Sequence, residues 1–408
     1  MAADVIVLGA GVAGLGCARA LTDAGIAVEV WEARDRIGGR VHTARPRSTD
    51  SPPTTVELGA QVVHGGTGPV WALLGADVPT TPYRDAVARA VHLGRVVPMG
   101  ALARGPHPPW AAEARIAEDG GADAVDRWPG WSGYHGAECA LAHEWIRQRW
   151  AADPAEIRRD AVAECLRAQR AHHEYVLDEG MDAVVDVLAR GLRVRTGCPA
   201  VEVIPGRGGA QVVGSVGRVR ARAVVVTVPP PVVLAGGLRI ADLSDAKRSA
   251  ARRLPAGDGC VVAVTLSRSA PETAVVFDGD GRSGFVRTTA GRPHVTLVAK
   301  GSTAAVLRRT VSSPATLAAE LERVLGWTRD AEVTEVTVAD WGVDLWSRGV
   351  FTVPEVGAED APGTWGAPID DAVFVAGEAT CDPAAAGSVP GALDSGRRAA
   401  HEIEEVLA

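Results

Sequence analysis

Three glycines and one acidic residue near the start of the chain have the spacing of a dinucleotide-binding site. Gly9, Gly11 and Gly14 follow a short apolar run, and Glu32 ends the next apolar run. In such a site the first glycine permits a tight turn, the second lets the backbone approach a pyrophosphate, and the third lets a helix pack on a strand. An acid at Glu32 would accept hydrogen bonds from ribose hydroxyls and repel a 2′-phosphate, which argues against NADP.

A strand, a helix and a second strand are needed to bring these four residues together. The apolar pattern predicts a buried parallel strand at residues 4–8, a helix at 14–24 and a strand at 26–31. The N-terminus of the helix would then present free N–H groups to a phosphate. These elements predict an α/β fold with a Rossmann-like domain for the dinucleotide.

The composition is that of a globular protein with room for two domains. The 408 residues are 47% hydrophobic and 23% charged, and the formal net charge is −8. The negative charge argues against nucleic-acid binding, and no apolar run reaches the roughly 20 residues of a transmembrane helix. The chain enters its first strand within four residues, which leaves no space for a signal peptide. We therefore expect a cytoplasmic protein without a membrane or nucleic-acid partner.

Cysteine and lysine usage narrows the chemistry further. The scattered cysteines form no CxxC pair and no cluster with histidine, which predicts reduced thiols and no metal site. These cysteines are Cys17, Cys139, Cys165, Cys198, Cys260 and Cys381. Only two of the 42 basic residues are lysines, Lys247 and Lys300, so few positions could supply an amine to a reaction.

The segment after Glu32 favours FAD over NAD. It reads EARDRIGGRVHT and places Arg34, Gly38, Gly39 and Arg40 directly after the acid. Paired glycines allow close backbone approach, and an arginine offers a planar fork of donors. Here the sequence resembles the flavin-containing amine oxidases, which include monoamine, polyamine and L-amino-acid oxidases. The resemblance implies bound FAD, with this segment beside the pyrophosphate and the flavin.

Later segments resemble the same family in the family's order, namely VELGAQVVHG, VLDEGMDAVV with the strand after it, ARAVVVTVPPPVV, DWGVDLWSRGVF and VFVAGEATCDPAAAGSVPGALDSGRRAA. The resemblance implies that the first segment passes the flavin ring and that the strand after the second holds the adenine end of FAD. The third leads out of the cofactor domain, the fourth lies beside the ring, and the last lines the ribityl or phosphate region. The cofactor-binding residues that they imply are Gly59, Ala60, Gln61, Val201, Trp341, Gly377, Glu378, Ser388 and Val389.

The order of these motifs predicts an interleaved architecture. Residues 1–75, 174–240 and 336–408 would form the FAD-binding domain, and residues 76–173 and 241–335 an α+β substrate domain. In the substrate domain we expect helices at 137–152 and 313–327 and strands at 260–266, 273–278 and 294–299. The polar segment 44–55 is typical of a surface loop.

Several positions depart from the family pattern. Val350 stands where monoamine oxidases attach flavin to a cysteine, so FAD should be held non-covalently. Phe351 keeps one of two aromatic rings that flank the substrate amine, but Ser388 replaces the other, which favours a substrate larger than a simple primary amine. Gln61 and Val62 stand where L-amino-acid oxidases often carry a carboxylate-binding arginine, which disfavours an amino-acid substrate.

A lysine that faces the flavin in the family is also missing. Val261 occupies its position after the LPxG-like turn LPAG. Lys300 ends a different strand, and we interpret it as a solvated strand end. Lys247 lies in a polar helix and is a still weaker replacement.

His64 is the side chain best suited to acid–base chemistry in these motifs. An imidazole at the mouth of an active site can orient a substrate or accept a proton, and a histidine bound to a backbone carbonyl fits the sequence equally well. For Trp341 and Trp346 we favour packing around the flavin ring. The further catalytic candidates are Glu57, Tyr175 and Phe351.

The resulting hypothesis is an FAD-dependent oxidoreductase that oxidises a carbon–nitrogen bond. Hydride transfer to flavin N5 would convert a small amine, or an amide in a biosynthetic intermediate, into an imine or iminium, with molecular oxygen as acceptor. Alternatives are a dehydrogenase or desaturase that uses another acceptor, and a non-catalytic FAD-binding protein, against which the retained Arg40, Glu378 and His64 argue. The number of chains is open, with a homodimer among the options.

Overall fold

A five-stranded parallel sheet carries the glycine motif in the computed structural model, which describes residues 3–46, 55–65, 67–75, 77–82, 86–103, 107–168 and 174–408. Its strands, in spatial order, are β10 (Val194–Arg195), β2 (Val28–Trp31), β1 (Val5–Leu8), β14 (Ala223–Val226) and β21 (Val373–Val375). Every residue of β1, β2, β14 and β21 is buried, as expected for parallel strands covered on both faces.

The two faces of this sheet carry different layers because side chains alternate along each strand. Val5 and Val7 join a core cluster with helices α1 (Val12–Asp23), α6 (Asp182–Ala189) and α12 (Val389–Leu407). Ile6 and Leu8 join a second cluster on the opposite face.

That second face packs against a four-stranded sheet and three short helices. The sheet runs β13 (Gly217–Ala221), β12 (Gly209–Gly214), β11 (Ala200–Gly206) and β15 (Arg239–Ile240). The helices are α7 (Pro230–Leu234), α8 (Asp245–Arg252) and α11 (Ala361–Gly366). Helices on one side and a sheet on the other confirm the α/β, Rossmann-like prediction for the cofactor-binding part.

A seven-stranded mixed sheet forms the other large layer. In spatial order it contains β20 (Val333–Asp340), β16 (Gly259–Leu266), β19 (His294–Lys300), β18 (Phe285–Thr288), β17 (Ala274–Asp278), β7 (Val87–His92) and β8 (Arg95–Pro98). One face of β16, with Cys260 and Val262, packs under helices α9 (Ser302–Val311) and α10 (Pro314–Leu325). The other face, with Val261 and Ala263, packs on Leu58 and Trp341, so it is turned toward the glycine motif.

The remaining elements close the space between the two large sheets. They are α2 (Pro69–Leu74), α3 (Ala112–Asp119), α4 (Ala137–Trp150) and α5 (Arg159–Ala168), the pair β3 (Thr43–Ala44) and β4 (Val56–Glu57), and the strands β5 (Val63–His64), β9 (Glu174–Leu177) and β6 (Thr80–Pro82). No helix in the described ranges is long and apolar enough to cross a membrane. No disulfide joins any of the six cysteines, all of which lie in those ranges.

The observed boundaries differ from the predicted ones by a few residues. Helix α1 begins at Val12 rather than at residue 14, because Gly11 already serves as its N-cap. Strand β2 begins at Val28 rather than at residue 26. Strand β20 crosses the predicted domain boundary at residue 336 and pairs with the seven-stranded sheet, while the division into domains otherwise stays a prediction. Most of the predicted loop 44–55 lies outside the described residues.

Candidate active site

One cavity of about 730 Å³ runs from the glycine motif to the inner face of the seven-stranded sheet. Gly11 and Glu32 line it at one end, and Phe351, Arg149 and Lys300 line it at the other. Its volume lies within the roughly 300–1,000 Å³ range of small-molecule and cofactor sites.

The glycine motif forms a cradle at the first end of the cavity. Gly9 has φ +108°, and a Cβ there would lie 2.5 Å from Thr227 Oγ1. A Cβ on Gly14 would lie 2.0 Å from the carbonyl oxygen of Gly9, so the helix can pack this closely only on glycine. A Cβ on Gly11 would meet only Gly39 Cα, at 4.0 Å, so the backbone beside Gly11 is open to the cavity.

The two groups that a dinucleotide requires flank this cradle. Helix α1 begins at Gly11 without a side-chain cap and without an acid in its first turn, so its first N–H groups are available to an anion. Glu32 is 5% exposed, and its carboxylate accepts hydrogen bonds from Ala10 N at 2.7 Å and Arg34 N at 2.8 Å. A carboxylate has about four acceptor positions, so these two bonds leave capacity for ribose hydroxyls. The cradle therefore fits the adenosine diphosphate half of FAD.

Arg40 and Glu378 form an ion pair in the middle of the cavity, at 2.9 Å. Thr352 Oγ1 donates to the same carboxylate oxygen of Glu378 at 2.9 Å, and Arg40 also donates to Val350 O at 3.1 Å. A Cβ on Gly59 would lie 1.9 Å from Arg40 O, so glycine is required where these two backbones cross. The ion pair thus connects three segments that the sequence assigned to the cofactor.

A tryptophan wall borders the cavity beside Arg34. Trp341 is buried and donates from Nε1 to Leu58 O at 2.7 Å. Arg34 binds both carboxylate oxygens of Asp344, at 2.7 and 2.6 Å, which holds the loop after Trp341 against the motif. Burial would raise the pKa of Asp344, but the hydrogen bonds and charge of Arg34 outweigh burial and lower it to about 2. Trp341 and Trp346 both line the cavity.

Phe351 is a retained aromatic wall at the substrate end. A Cβ on Gly387 would lie 3.1 Å from its ring, so the ring packs on this backbone. Ser388 supplies no second ring, because its hydroxyl donates to Ala385 O at 2.6 Å and accepts from Gly391 N at 3.1 Å as the N-cap of α12. The side of the cavity beside Ser388 and Val389 is therefore wider than a two-ring cage would leave it.

A network of charged residues forms the far wall beside His64. Glu174 accepts from His64 Nδ1 at 3.3 Å and from Arg149 at 3.2 Å. Arg149 also pairs with Glu113 at 3.5 Å, and Trp150 Nε1 donates to the same carboxylate at 2.9 Å. Burial would raise the pKa of Glu174, but His64 and Arg149 outweigh burial and lower it to about 2. Glu174 is therefore ionised and orients the imidazole.

Lys300 lines the cavity, so its interpretation as a solvated strand end is wrong. It ends β19 opposite Gly259, two residues from the pair Val298–Val261, and thus extends on the same face as Val261. Its Nζ lies 5.3 Å from the centroid of the Phe351 ring. Burial, together with the charge of Arg149, lowers the pKa of Lys300 to about 8.

Besides Gly14, three candidate residues lie outside the cavity lining. Glu57 accepts from Met181 N at 2.8 Å at the start of α6, and burial raises its pKa to about 7. Tyr175 packs edge-on against Trp71 at 5.4 Å. Val201 is 54% exposed, and its neighbour Ala200 lines the cavity instead. The other candidate residues line the cavity, except for Gly14, which has the packing role described above.

The charged wall was missed by sequence reasoning. Glu113, Arg149 and Glu174 come from three elements, and none belongs to a motif. The one available signal was on α4, where Trp145, Gln148 and Arg149 share a face by their three- and four-residue spacing. No group of three or more potential metal ligands occurs among the residues with a described position.

Comparison with known proteins identifies the family. The model of flavin-containing amine oxidoreductases matches residues 12–155 and 131–404. The chain belongs to this family. It is 28% identical to polyamine oxidase 3 of rice (Oryza sativa subsp. japonica) over 98% of this chain and 88% of that protein. It is 37% identical to the rat (Rattus norvegicus) flavin-containing amine oxidase B over 26% of this chain and 19% of that protein.

Solved structures show the same fold. Putrescine oxidase bound to putrescine has a TM-score of 0.79 at 20% identity over 99% of both chains. Cyclohexylamine oxidase from Brevibacterium oxydans has a TM-score of 0.78 at 21% identity over 100% of both chains. The family confirms that this chain is an FAD-dependent oxidoreductase of carbon–nitrogen bonds. Val350 leaves no thiol at the position where the sequence comparison expects covalent attachment, which agrees with the expectation of non-covalently held FAD.

Proposed function

We propose that this enzyme oxidises a secondary amine or an amide and passes the electrons to molecular oxygen. The observation that carries the proposal is the single cavity that joins the dinucleotide cradle to a wide compartment beside Phe351 and Ser388. FAD, when bound, would supply the acceptor for a hydride from the carbon next to nitrogen. The carbon–nitrogen bond becomes a double bond as the nitrogen lone pair replaces the lost electrons, and dioxygen takes up two electrons and two protons to give hydrogen peroxide.

The wall around the reacting end favours an uncharged nitrogen. Val261, Val298 and Phe351 present apolar surface there, and an ammonium loses hydration in such surroundings. A neutral nitrogen is also the form that has a lone pair to give. Because Ser388 replaces a ring, the compartment has room for a substituent on that nitrogen.

His64 is the residue that we propose to move or hold a proton. Its Nδ1 is engaged by Glu174, which fixes the plane of the ring beside the cavity. An imidazole held in this way can accept a proton from a substrate nitrogen through its other ring nitrogen. Glu113 and Glu174 are less suited to bind a second ammonium group, because Arg149 already pairs with both.

A second candidate function is a dehydrogenase that uses another electron acceptor. Val261 favours it, because a valine side chain has no charge to hold a water molecule and no proton to donate during the reduction of dioxygen. Anaerobic mixing with primary amines, secondary amines and amides tests the substrate class through loss of flavin absorbance. Reoxidation by oxygen with stoichiometric peroxide supports the oxidase. Reoxidation only by an artificial dye identifies the dehydrogenase, and reduction by primary amines alone refutes the proposed substrate class.

A further inference from the structure

We propose that Lys300 forms an anion subsite at the substrate end of the cavity and selects substrates that carry a carboxylate. The assignment of a substrate class rests on the proposed function, but the anion subsite itself is testable by binding measurements without turnover.

The backbone of Lys300 is fixed by two hydrogen bonds to one side chain. Gln148 on α4 accepts from Lys300 N at 2.9 Å and donates to Lys300 O at 3.1 Å. Gln148 is fully buried, so this anchor belongs to the packed interior. Opposite Lys300, Gly259 has no side chain; a Cβ there would clash with Val350 and would lie at an ordinary contact distance of 3.5 Å from Lys300 Cγ. Gln148 thus fixes the end of β19, from which the Lys300 side chain lines the cavity.

Within the described part of the chain, the ammonium group of Lys300 has no counter-charge in direct contact. Among the residues with described positions, no hydrogen bond or ion pair reaches Nζ, and its close contact is the ring of Phe351 at 5.3 Å. The charged groups around it are Arg149 on α4, Glu113 on α3, and Glu174 on β9 with its partner His64. Both carboxylates are engaged by Arg149, so the cavity offers Lys300 no carboxylate of its own.

The other lysine of the chain shows what a satisfied buried lysine looks like here. Lys247 is 7% exposed, and its Nζ donates to Thr364 O at 3.2 Å, Trp365 O at 2.8 Å and Ala367 O at the end of α11. Buried charges in proteins are normally paired or hydrogen-bonded in this way. Lys300 lacks such partners and faces a cavity, which points to a partner supplied by the ligand.

The position of Nζ also determines which ligands are disfavoured. The ammonium of Lys300 already lies near the face of the Phe351 ring, where a substrate ammonium would otherwise make a favourable cation–π contact. A second cation there is repelled, whereas a carboxylate gains an ion pair in a site with little water. The substrate class is therefore an amine or amide with one carboxylate, placed so that the carboxylate meets Lys300 while the nitrogen lies nearer the cofactor.

Benzoate, benzamide and benzylamine are matched probes for this subsite. Each is titrated into the oxidised, FAD-loaded protein, and the perturbation of flavin absorbance gives its Kd without any turnover. We expect benzoate to bind at least about tenfold more tightly than benzamide, because a charge-assisted bond replaces a neutral one. Equal affinities of benzoate and benzamide, or tighter binding of benzylamine, overturn the proposal.

Three variants distinguish an effect of the Lys300 ammonium on benzoate binding from an effect on the stability of the fold. Lys300→Met should weaken benzoate by about tenfold or more and leave benzamide unchanged, whereas Lys300→Arg should keep most of the benzoate affinity. Arg329→Met removes a cation that is 75% exposed and should change neither Kd. Flavin content and thermal unfolding verify that each variant is folded. Undiminished benzoate binding by folded Lys300→Met refutes the subsite.

The pH dependence supplies a further readout. Lys300 is charged below its pKa of about 8, so benzoate binding by the wild type should weaken as the pH rises through that value. Lys300→Arg should lose this weakening, because arginine stays protonated. If benzoate binds as expected but no amine or amide reduces the flavin, the proposed function fails and the subsite stands. If amines reduce the flavin but benzoate does not bind, the subsite fails alone.

Discussion

Glu32→Gln should weaken FAD binding by about 10- to 150-fold. Glu32 accepts from Ala10 N and Arg34 N while it faces the cavity. The glutamine amide has one oxygen, so it can accept from one of these N–H groups while its NH₂ opposes the other. It also removes the negative charge that the ribose hydroxyls would meet. Hydrogen bonds to a charged group contribute about 1.5–3 kcal/mol, and each 1.4 kcal/mol is a factor of ten.

Glu29→Gln is the matched control for this prediction. Glu29 lies on β2, three residues before Glu32, is 8% exposed, and accepts from Trp31 Nε1 at 2.8 Å and Arg193 at 3.1 Å, but it does not line the cavity. Its replacement should lower the free energy of unfolding and leave the Kd of FAD nearly unchanged. The assay is equilibrium titration of the apoprotein with FAD, followed by flavin fluorescence. Equal FAD affinity of Glu32→Gln and wild type, or equal losses in both variants, would refute the assignment of Glu32 to the ribose.

Three further predictions concern the cofactor, the charged wall and the cradle. Acid or heat should release intact FAD into the supernatant, because Val350 cannot form a thioether, and flavin that stays with the precipitated polypeptide would contradict this. His64→Ala should slow anaerobic flavin reduction by substrate about 10²–10⁴-fold with unchanged FAD content, and Glu174→Gln should slow it less; a wild-type rate in His64→Ala makes His64 structural. Gly14→Ala should destabilise the fold by about 1–3 kcal/mol or more in denaturant titration, while Gly100→Ala, which has nothing within 4 Å of the new Cβ, should not; equal stability of both variants would refute the close approach.

The cofactor cradle could be predicted from sequence because its geometry is local. Gly9, Gly11 and Gly14 lie within one strand–turn–helix unit, and the tightest of their contacts, between Gly14 and the carbonyl oxygen of Gly9, is inside that unit. Glu32 is one strand away in a parallel pair whose register follows from the apolar pattern. The fold class follows from the same local signals, since fully apolar short strands alternating with a helix predict a covered parallel sheet.

The charged wall could not be predicted in the same way. His64 and Glu174 meet because β5 and β9 pair in register, and Arg149 reaches both carboxylates only through the packing of α3, α4 and β9. Sequence spacing carries no information on such contacts between distant elements. Glu57 is the opposite case. Its position beside a cofactor motif suggested catalysis, but its carboxylate accepts a hydrogen bond from the N–H of Met181 outside the cavity lining.

Lys300 was misinterpreted because a lysine at the end of a strand is usually solvated, and what covers this strand end is α4. Yet the composition held a relevant signal. The chain uses arginine for nearly every cation, and its two lysines both lie in the interior rather than on the exposed surface. Lys247 places its ammonium among three backbone carbonyls at the end of α11. Lys300 differs because its ammonium lies beside Phe351 at the wall of a cavity, so a chain this poor in lysine uses one of its two in a position that a ligand can reach.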